Sequence, residues 1–363
     1  MDYRRRQVQV RSLLSGAKLD ALLVTHLPNV RYLCGFTGSA GALLVTKKQP
    51  VFFTDGRYTA QAQEEVKGAR IVIAAKAPLT TLAEWLGSQK AVTRSLKLTG
   101  FEADRLSFAG HRSLARSLPP GIRLRSTPGL VETIRMRKDG DELERMRAAA
   151  LLGAGLFDRA REVIRPGVKE TVVAAEMEYA ASKAGAEGMS FPTIIASGQR
   201  SALPHGRASL QPIPADGFVV CDFGVILAGY CSDMTRTVYV GHPSEEARSA
   251  YSAVREAQQA GIEAVRPGAK LGEVDAAARK VLQRHKLAKY FTHSTGHGVG
   301  LEIHEAPRVA ANQEDELRPG MVITIEPGVY LPDKWGIRIE DMVAVTETGC
   351  EILTPTTKEL IVC

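Results

Sequence analysis

One segment of this chain occurs twice, and the repetition restricts the possible folds more than any other feature of the sequence. EVIRPGVKETVVAAEMEYAASKAGA begins at Glu162, and EAVRPGAKLGEVDAAARKVLQRHKL begins at Glu263. An aromatic residue then opens a stretch that contains histidine, Phe191 after the first copy and Phe291 after the second, and a strand-like run ending in a carboxylate follows. A repeated order of this kind is typical of units that bury their apolar faces against each other. We therefore predict an α+β domain with an internal pseudo-two-fold repeat in the second part of the chain.

Four carboxylates in the repeated part stand at the ends of short β-prone runs: Asp222 after GFVVC, Asp233 before MTRTVYV, Glu326 after MVITI and Glu340 within GIRIEDMVAV. Asp222 corresponds to Glu326 in the repeat, and Asp233 to Glu340. The short spacing within each half predicts two hairpins that present their carboxylates on one side. Burying an unpaired carboxylate costs several kcal/mol, so two divalent cations among the four are the simplest explanation.

Four of the eight histidines fall in the same stretch: His205, His293, His297 and His304. Carboxylate oxygens combined with imidazoles favour Mn, Co, Zn or Fe over soft metals. Two such ions can share a bridging hydroxide that is nucleophilic near neutral pH, while histidines stabilise an oxyanion. The residues alone therefore predict metal-activated hydrolysis.

The first part of the chain alternates strand-like runs with helical patterns. LDALLVT, GALLVT, PVFFTD, ARIVIAA and LKLTGFE are typical of strands, whereas RYTAQAQEEV and TTLAEWLGSQ have helical spacing. This alternation predicts an α/β domain. We place it at residues 1–132 and the second domain at residues 133–363, whose first long helix begins after the capping sequence KDGDE.

Composition limits the cellular setting and the partners. The five cysteines have no CxxC spacing, which predicts reduced thiols in a cytoplasmic protein, and we do not expect a disulfide between Cys221 and Cys231. No apolar run approaches the roughly 18–20 residues that cross a bilayer, and the basic start of the chain lacks the apolar core of a signal peptide. The net charge of +7 comes from dispersed basic residues in the first part, so neither nucleic acid nor a membrane is an expected partner.

Together, HSTGHGVGLEIHEAP, DFGVILAGYCSDMTRT, VITIEPGVY and GIRIED resemble the motifs of the metal-dependent peptidases of the pita-bread fold. More narrowly, they resemble the Xaa-Pro branch, aminopeptidase P and prolidase. YLCGFTGSAG and FFTDGRYTAQAQEE are similar to the creatinase-type N-terminal domain that accompanies this branch. The resemblance covers essentially the whole chain. It implies a creatinase-like α/β domain followed by a pita-bread catalytic domain.

The resemblance also implies five metal ligands: Asp222, Asp233, His297, Glu326 and Glu340. In the family pattern, Asp233 and Glu340 contact both metal ions. Asp222 binds one ion, and His297 and Glu326 bind the other. Glu326 would in addition hold or deprotonate the attacking water.

Four further residues match the family's catalytic positions without being ligands: His205, His293, His304 and Arg338. The resemblance implies that the three histidines position the substrate and stabilise the tetrahedral intermediate. It implies that Arg338 pairs with a ligand carboxylate. An exposed strand arginine is the alternative interpretation of Arg338.

The activity implied by the resemblance is hydrolysis of Xaa-Pro bonds in small peptides, with manganese ranked before cobalt and zinc. Ordinary peptidases handle these bonds poorly because proline lacks an N–H and has a fixed φ. We rank an Xaa-Pro aminopeptidase first and a prolidase restricted to dipeptides second. Methionine aminopeptidase and a non-catalytic binding module are weaker alternatives. A homodimer is the expected assembly.

Overall fold

The computed structural model describes every residue from Met1 to Cys363. Internal contacts divide the chain into two units, Met1–Arg135 and Met136–Cys363. No helix in either unit is both long enough and apolar enough to cross a bilayer. All five cysteines are free thiols, as expected from their spacing.

The first unit is built on one six-stranded mixed sheet of order β4-β3-β2-β1-β5-β6. Its strands are β1 (Ala21–Val24), β2 (Ala42–Thr46), β3 (Val51–Asp55), β4 (Arg70–Ala74), β5 (Leu98–Phe101) and β6 (Arg123–Ser126). Strand β2 is antiparallel to both of its neighbours, and the other pairs are parallel. The five predicted strands are confirmed, whereas the sequence did not predict β6.

The helices of the first unit are α1 (Tyr3–Gly16), α2 (Leu27–Cys34), α3 (Thr59–Glu65), α4 (Pro78–Ser88), α5 (Lys90–Ser95), α6 (Phe108–Ser117) and α7 (Glu132–Arg135), with a 3-10 turn at Gly56–Tyr58. One core of this unit joins Leu23 and Phe53 of the sheet to Leu82 and Leu86 of α4 and Leu114 of α6. The fold is therefore the predicted α/β layer structure.

The second unit contains two helix pairs, α8 (Gly140–Val163) with α9 (Glu170–Lys183), and α10 (Glu245–Ala264) with α11 (Leu271–Arg284). The repeated sequence spans the junction within each pair, since Glu162 and Glu263 both lie one residue before the end of a helix. Asp139 caps α8 in a reciprocal capping box with Glu142, as the KDGDE motif predicts. The predicted repeat is therefore a repeated helical hairpin.

The strands that follow the first helix pair are β7 (Gly188–Met189), β8 (Ile194–Ser197), β9 (Gly217–Phe223), β10 (Val225–Leu227), β11 (Tyr230–Cys231) and β12 (Met234–Val240), with a 3-10 segment at Gly198–Ala202. They form sheets of order β12-β9-β8 and β11-β10-β7. Ala228 and Gly229, both at positive φ, make the tight turn between β10 and β11. The predicted turn position is confirmed.

The strands that follow the second helix pair are β13 (Gly296–Gly298), β14 (Glu305–Val309), β15 (Val322–Ile325), β16 (Gly328–Leu331), β17 (Trp335–Arg338), β18 (Asp341–Val345) and β19 (Cys350–Ile352), after a 3-10 turn at Ala288–Tyr290. They form a five-stranded sheet of order β14-β13-β15-β18-β19 and a two-stranded ribbon of β16 and β17. The second hairpin consists of two antiparallel strand pairs, β15 with β18 and β16 with β17.

Alternation along the strands separates an apolar face from a polar one. Cys221 and Phe223 of β9 pack in the core formed with α8 and α9. Ile323 and Ile325 of β15 pack in the core that includes residues of α10 and α11. Because successive side chains point to opposite faces, Asp222 points away from the helices. One face of the β12-β9-β8 sheet thus packs on α8 and α9, and its other face carries Asp222 as well as Phe218, which packs against α10.

Candidate active site

The first hairpin places Asp222 and Asp233 on one face. Asp222 lies opposite Thr235, and Phe223 lies opposite Met234. Asp233 is two residues before Thr235 and therefore shares its face. Both carboxylates are buried, with 8% and 4% of their surface exposed.

The second hairpin places Glu326 and Glu340 opposite each other. Ile325 pairs with Asp341, so the residue that follows β15 and the residue that precedes β18 meet across the hairpin. Glu340 is buried, and Glu326 is partly exposed. The two hairpins therefore supply two carboxylates each, as predicted.

Thr235 joins the two hairpins. Its Oγ1 donates to Oε2 of Glu340 at 2.7 Å, and its carbonyl accepts from the Glu340 N–H at 3.1 Å. A second link runs through Thr237, which exchanges hydrogen bonds with the main chain of Arg338 at 2.8 and 3.1 Å. These bonds fix the carboxylates of the two halves against one another.

His297 lies on the short strand β13 and points at the carboxylates. Its Nε2 is 3.5 Å from Oδ2 of Asp233 and 3.5 Å from Oε1 of Glu326. Its Nδ1 is 3.0 Å from the Gly298 carbonyl, and donation there leaves the Nε2 lone pair free to bind a cation. The candidate ligand atoms of Asp233, His297 and Glu340 all lie within 4.8 Å of one another.

Burial and mutual repulsion raise the proton affinity of three of these carboxylates, Asp233, Glu326 and Glu340. Burial raises the pKa of Asp233 and of Glu326 well above the usual value, and the charge of Glu340 raises both further. Burial, followed by the charge of Asp222, raises the pKa of Glu340 to about 8. Burial also lowers the pKa of His297 to about 4, so that its imidazole is neutral near pH 7. A cluster of carboxylate oxygens that repel one another, next to a neutral imidazole, is a suitable binding site for divalent cations.

Arg338 is buried and bonded to both hairpins. Its guanidinium donates to Oδ2 of Asp222 at 2.5 Å, to Oγ1 of Thr235 at 3.1 Å, to the hydroxyl of Tyr330 at 2.5 Å and to the Pro204 carbonyl at 3.1 Å. With 3% of its surface exposed, it is not the exposed strand arginine of the alternative interpretation.

His293 lies at the end of a chain of hydrogen bonds from Arg338. Its Nε2 is 3.0 Å from the Tyr330 hydroxyl, and its Nδ1 is 2.8 Å from the Ser294 carbonyl and 4.0 Å from Oε2 of Glu326. Because the Ser294 carbonyl can only accept, Nδ1 carries the proton and Tyr330 donates to Nε2. Burial and then Arg338 lower the pKa of His293 to about 4.

His205 and His304 are exposed at the rim of this cluster. The ring of His304 lies 4.4 Å from the ring of His297. Burial lowers the pKa of His304, and the neighbouring His205 lowers it further. His205 directly follows the residue whose carbonyl binds Arg338. The structure thus brings every predicted site residue together, and their roles stay predictions.

Three polar residues at this site were not assigned a role from the sequence: Tyr330, Thr235 and Thr324. Thr324 accepts from the His297 N–H at 3.1 Å and donates to Oε1 of Glu326 at 3.3 Å. Both threonines lie two residues from a site carboxylate, so period-two alternation was an available signal for them. Tyr330 had no local signal.

Comparison with known proteins agrees with this geometry. Residues 144–347 match metallopeptidase family M24, and residues 6–137 match the creatinase/prolidase N-terminal domain. The chain belongs to metallopeptidase family M24. The resemblance drawn from the sequence motifs is therefore confirmed at the level of the family, and the protein is a metal-dependent hydrolase with a creatinase-type N-terminal domain.

Several similar proteins match this chain over nearly its whole length. A chain named Xaa-Pro dipeptidase from Pyrococcus horikoshii is 37% identical over 94% of this chain and 95% of its own. The structure of an Xaa-Pro dipeptidase from Bacillus anthracis has a TM-score of 0.95 and 39% identity, covering 100% of both chains. An X-Pro aminopeptidase from Thermotoga maritima has a TM-score of 0.88 and 34% identity, covering 95% of this chain and 98% of its own. These likenesses confirm the creatinase-like and pita-bread fold.

Proposed function

We propose that this M24 protein is an Xaa-Pro dipeptidase, a prolidase. The observation that carries the proposal is the full-length likeness to the Bacillus anthracis Xaa-Pro dipeptidase together with the convergence of four carboxylates and His297. The sequence motifs ranked the aminopeptidase first. The similar proteins shift that ranking, because several of them are named as Xaa-Pro dipeptidases or prolidases. The aminopeptidase remains the second candidate, supported by the Thermotoga maritima structure.

Five residues would hold two divalent cations in this proposal: Asp222, Asp233, His297, Glu326 and Glu340. Manganese is the first candidate, and cobalt and zinc are alternatives, because mixed carboxylate and imidazole sites suit all three. When bound, such ions supply a hydroxide nucleophile at neutral pH and polarise the scissile carbonyl. The raised pKa values of the carboxylates support the proposal, since neutralising cations relieve the cost of burying them as anions.

Glu326 would act as the base in this reaction. Burial raises its pKa, which favours accepting a proton from the attacking water. The same proton is then available to the proline nitrogen, which must leave as an amine. Thr324 holds the carboxylate of Glu326 at 3.3 Å during this transfer.

The rim histidines would bind the tetrahedral intermediate. His205 and His304 are exposed at the rim of the cluster, and each imidazole can offer an N–H to an oxyanion. Arg338 would keep the carboxylate of Asp222 correctly oriented through its 2.5 Å bond. His293, held by its hydrogen bond to the Tyr330 hydroxyl, would form part of the surface that faces the substrate.

The substrates, the assembly and the cellular location are proposed from the resemblance to the family. Small peptides that contain proline would be the substrates, and a homodimer in the cytoplasm would be the working assembly. The five free thiols support a reducing compartment. Sedimentation velocity of the purified protein tests the dimer directly: a single species with the mass of one chain would contradict it.

Hydrolysis of matched peptides tests the function. The purified protein is supplied with Mn(II), Co(II) or Zn(II) and offered an Xaa-Pro dipeptide and an Xaa-Pro-Xaa tripeptide. Metal-dependent cleavage of the dipeptide alone is expected for a prolidase, and cleavage of the tripeptide identifies the aminopeptidase. Asp233→Asn should remove the activity, whereas Asp158→Asn, at an exposed position on α8, should keep it. Cleavage of a methionyl peptide alone, or of none, overturns the Xaa-Pro assignment.

A further inference from the structure

An ion pair on α11, between a buried aspartate and a partly exposed arginine, is hydrogen-bonded to the segment that carries His293. Asp275 and Arg279 are one helical turn apart, with Arg279 Nε donating to Oδ2 of Asp275 at 2.7 Å. The Asp275 side chain is 1% exposed. Its other oxygen accepts from the N–H of Thr295 at 3.3 Å and from its Oγ1 at 2.8 Å. The pair is therefore bonded to the segment on its carboxylate side.

The guanidinium of Arg279 holds the same segment on the other side of His293. It donates to the carbonyl of Phe291 at 3.2 Å and to the carbonyl of His293 itself at 2.6 Å. It also lies 4.2 Å from the centre of the Phe291 ring, and the centres of the nearly perpendicular Phe291 and His293 rings are 5.0 Å apart. The backbone of residues 291–295 is thus fixed on both sides of the histidine.

The segment of residues 291–295 is also hydrogen-bonded to Glu326. The carbonyl of Thr295 accepts from the Glu326 N–H at 2.8 Å. His293 is 4.0 Å from the Glu326 carboxylate and 3.0 Å from Tyr330. A shift of the segment would therefore change the position of His293 relative to the proposed base.

The first half of the repeat has a comparable arrangement around His205. Glu170, fully buried at the start of α9, accepts from the N–H and hydroxyl of both Ser197 and Ser209 at 2.6–3.0 Å. Arg200 pairs with Glu170 at 3.0 Å and donates to the Arg207 carbonyl at 2.7 Å. The Glu170 carboxylate thus holds together the two ends of the loop that carries His205.

We propose that these two ion pairs, Asp275–Arg279 and Glu170–Arg200, are positioning devices that set the two histidine loops for catalysis. Each pair bonds the main chain on both sides of its histidine. Each pair joins a buried carboxylate to a partly exposed guanidinium, and such a pair contributes little net stability because desolvation and solvent screening offset the attraction. Their effect lies in geometry, since a misplacement of about 1 Å can cost roughly 100-fold in rate. The proposal rests on the hydrolase function proposed above.

A double-mutant cycle tests whether Arg279 acts through His293. Arg279→Gln should lower kcat by roughly 10- to 100-fold, the cost of a misplaced catalytic group, with little change in KM. In a His293→Ala background the same substitution should have almost no further effect on kcat. An equal loss in both backgrounds, or no loss in the wild type, overturns the proposal. Arg279→Lys keeps the positive charge but lacks the planar guanidinium that reaches two carbonyls. Compared with Arg279→Gln, it should therefore recover more of the stability than of the kcat.

Amide hydrogen exchange provides a readout that needs no activity. Arg279→Gln should speed exchange in residues 291–296 and leave the other segments unchanged. Arg284→Gln is the matched control, because Arg284 lies on the same helix in an exposed pair with Glu256. Unchanged exchange at residues 291–296 overturns the positioning proposal. An inactive wild-type protein with the expected exchange pattern would instead overturn only the proposed function.

Discussion

Arg338 donates to Asp222 at 2.5 Å, and this bond crosses from the second hairpin of the repeat to the first. The same guanidinium reaches Thr235 at 3.1 Å and Tyr330 at 2.5 Å. A single side chain therefore holds a candidate metal ligand in place and, through Tyr330, a candidate catalytic histidine, His293.

Arg338→Lys should lower kcat/KM at least about tenfold, because an ammonium lacks the planar fork that serves four partners at once. Breaking a buried pair costs roughly 3–5 kcal/mol when one charge is left unmatched, so a smaller loss of stability is expected here, where the charge remains. Kinetics of the Mn(II)-loaded protein and calorimetry measure the two effects.

The control for this substitution is Arg147→Lys. Arg147 forms a two-pronged pair with Glu351, but both side chains are more than two-fifths exposed. Exposed pairs contribute about 0–1 kcal/mol, so little change is expected. Equal behaviour of the two lysine variants would contradict the role given to Arg338.

Asp233→Asn should have opposite effects on stability with and without metal. Without metal, the substitution removes one of several buried like charges, so the protein should melt at a higher temperature than the wild type. With Mn(II), the wild type should gain stability, by about 2.7 kcal/mol at 100 times the Kd, and the variant should gain much less. Calorimetry with and without Mn(II) measures both differences. A variant stabilised by Mn(II) as strongly as the wild type would exclude Asp233 as a ligand.

Gly296→Ala should destabilise the protein and weaken metal binding. A Cβ at Gly296 would overlap the carbonyl oxygen of Thr324 on the neighbouring strand, forcing the strand of His297 away. Overpacking of this kind typically costs about 1–3 kcal/mol. Gly155→Ala is the control, since its Cβ would meet no atom within 4 Å on the exposed face of α8. Denaturant unfolding should show that variant to be more stable, by roughly 0.5–1 kcal/mol.

Glu170→Gln should loosen the loop of His205, because an amide cannot accept from all the donors that surround the carboxylate. We expect kcat to fall roughly 10-fold or more, as for other misplaced catalytic groups, and exchange in residues 198–209 to accelerate. Steady-state kinetics and hydrogen exchange measure these effects. Glu176→Gln, on the same helix but in an exposed pair with Arg159, should leave both quantities unchanged.

The hairpins that carry the carboxylates were predictable because their information is local. Asp222 and Asp233 flank a turn at Ala228–Gly229, and apolar residues alternate around them, so the facing side follows from the period of a strand. Glu326 and Glu340 also flank a short stretch of chain, so the second hairpin followed from the spacing within its own half. The sequence motifs around the site residues were also sufficient to identify the family.

The residues that support the site were not predictable from local pattern. Tyr330 and Arg279 act through hydrogen bonds to atoms that are distant in sequence or belong to the main chain, and such bonds leave no periodic trace. Helix α1 was missed because its buried face includes Arg6 and Gln7, which hides the apolar period. Strand β6 was missed because its four residues, two of them arginine, are largely exposed at the edge of the sheet.

The division of the cluster between two distant hairpins has a consequence for biosynthesis. Glu340 and its partner Thr235 are separated by 105 positions, and the strand β18 that fixes Glu340 follows it in the chain. A nascent polypeptide that has extended only through the first hairpin holds two of the four carboxylates. Metal binding at the proposed site would therefore have to wait until the ribosome has almost finished translating the second unit.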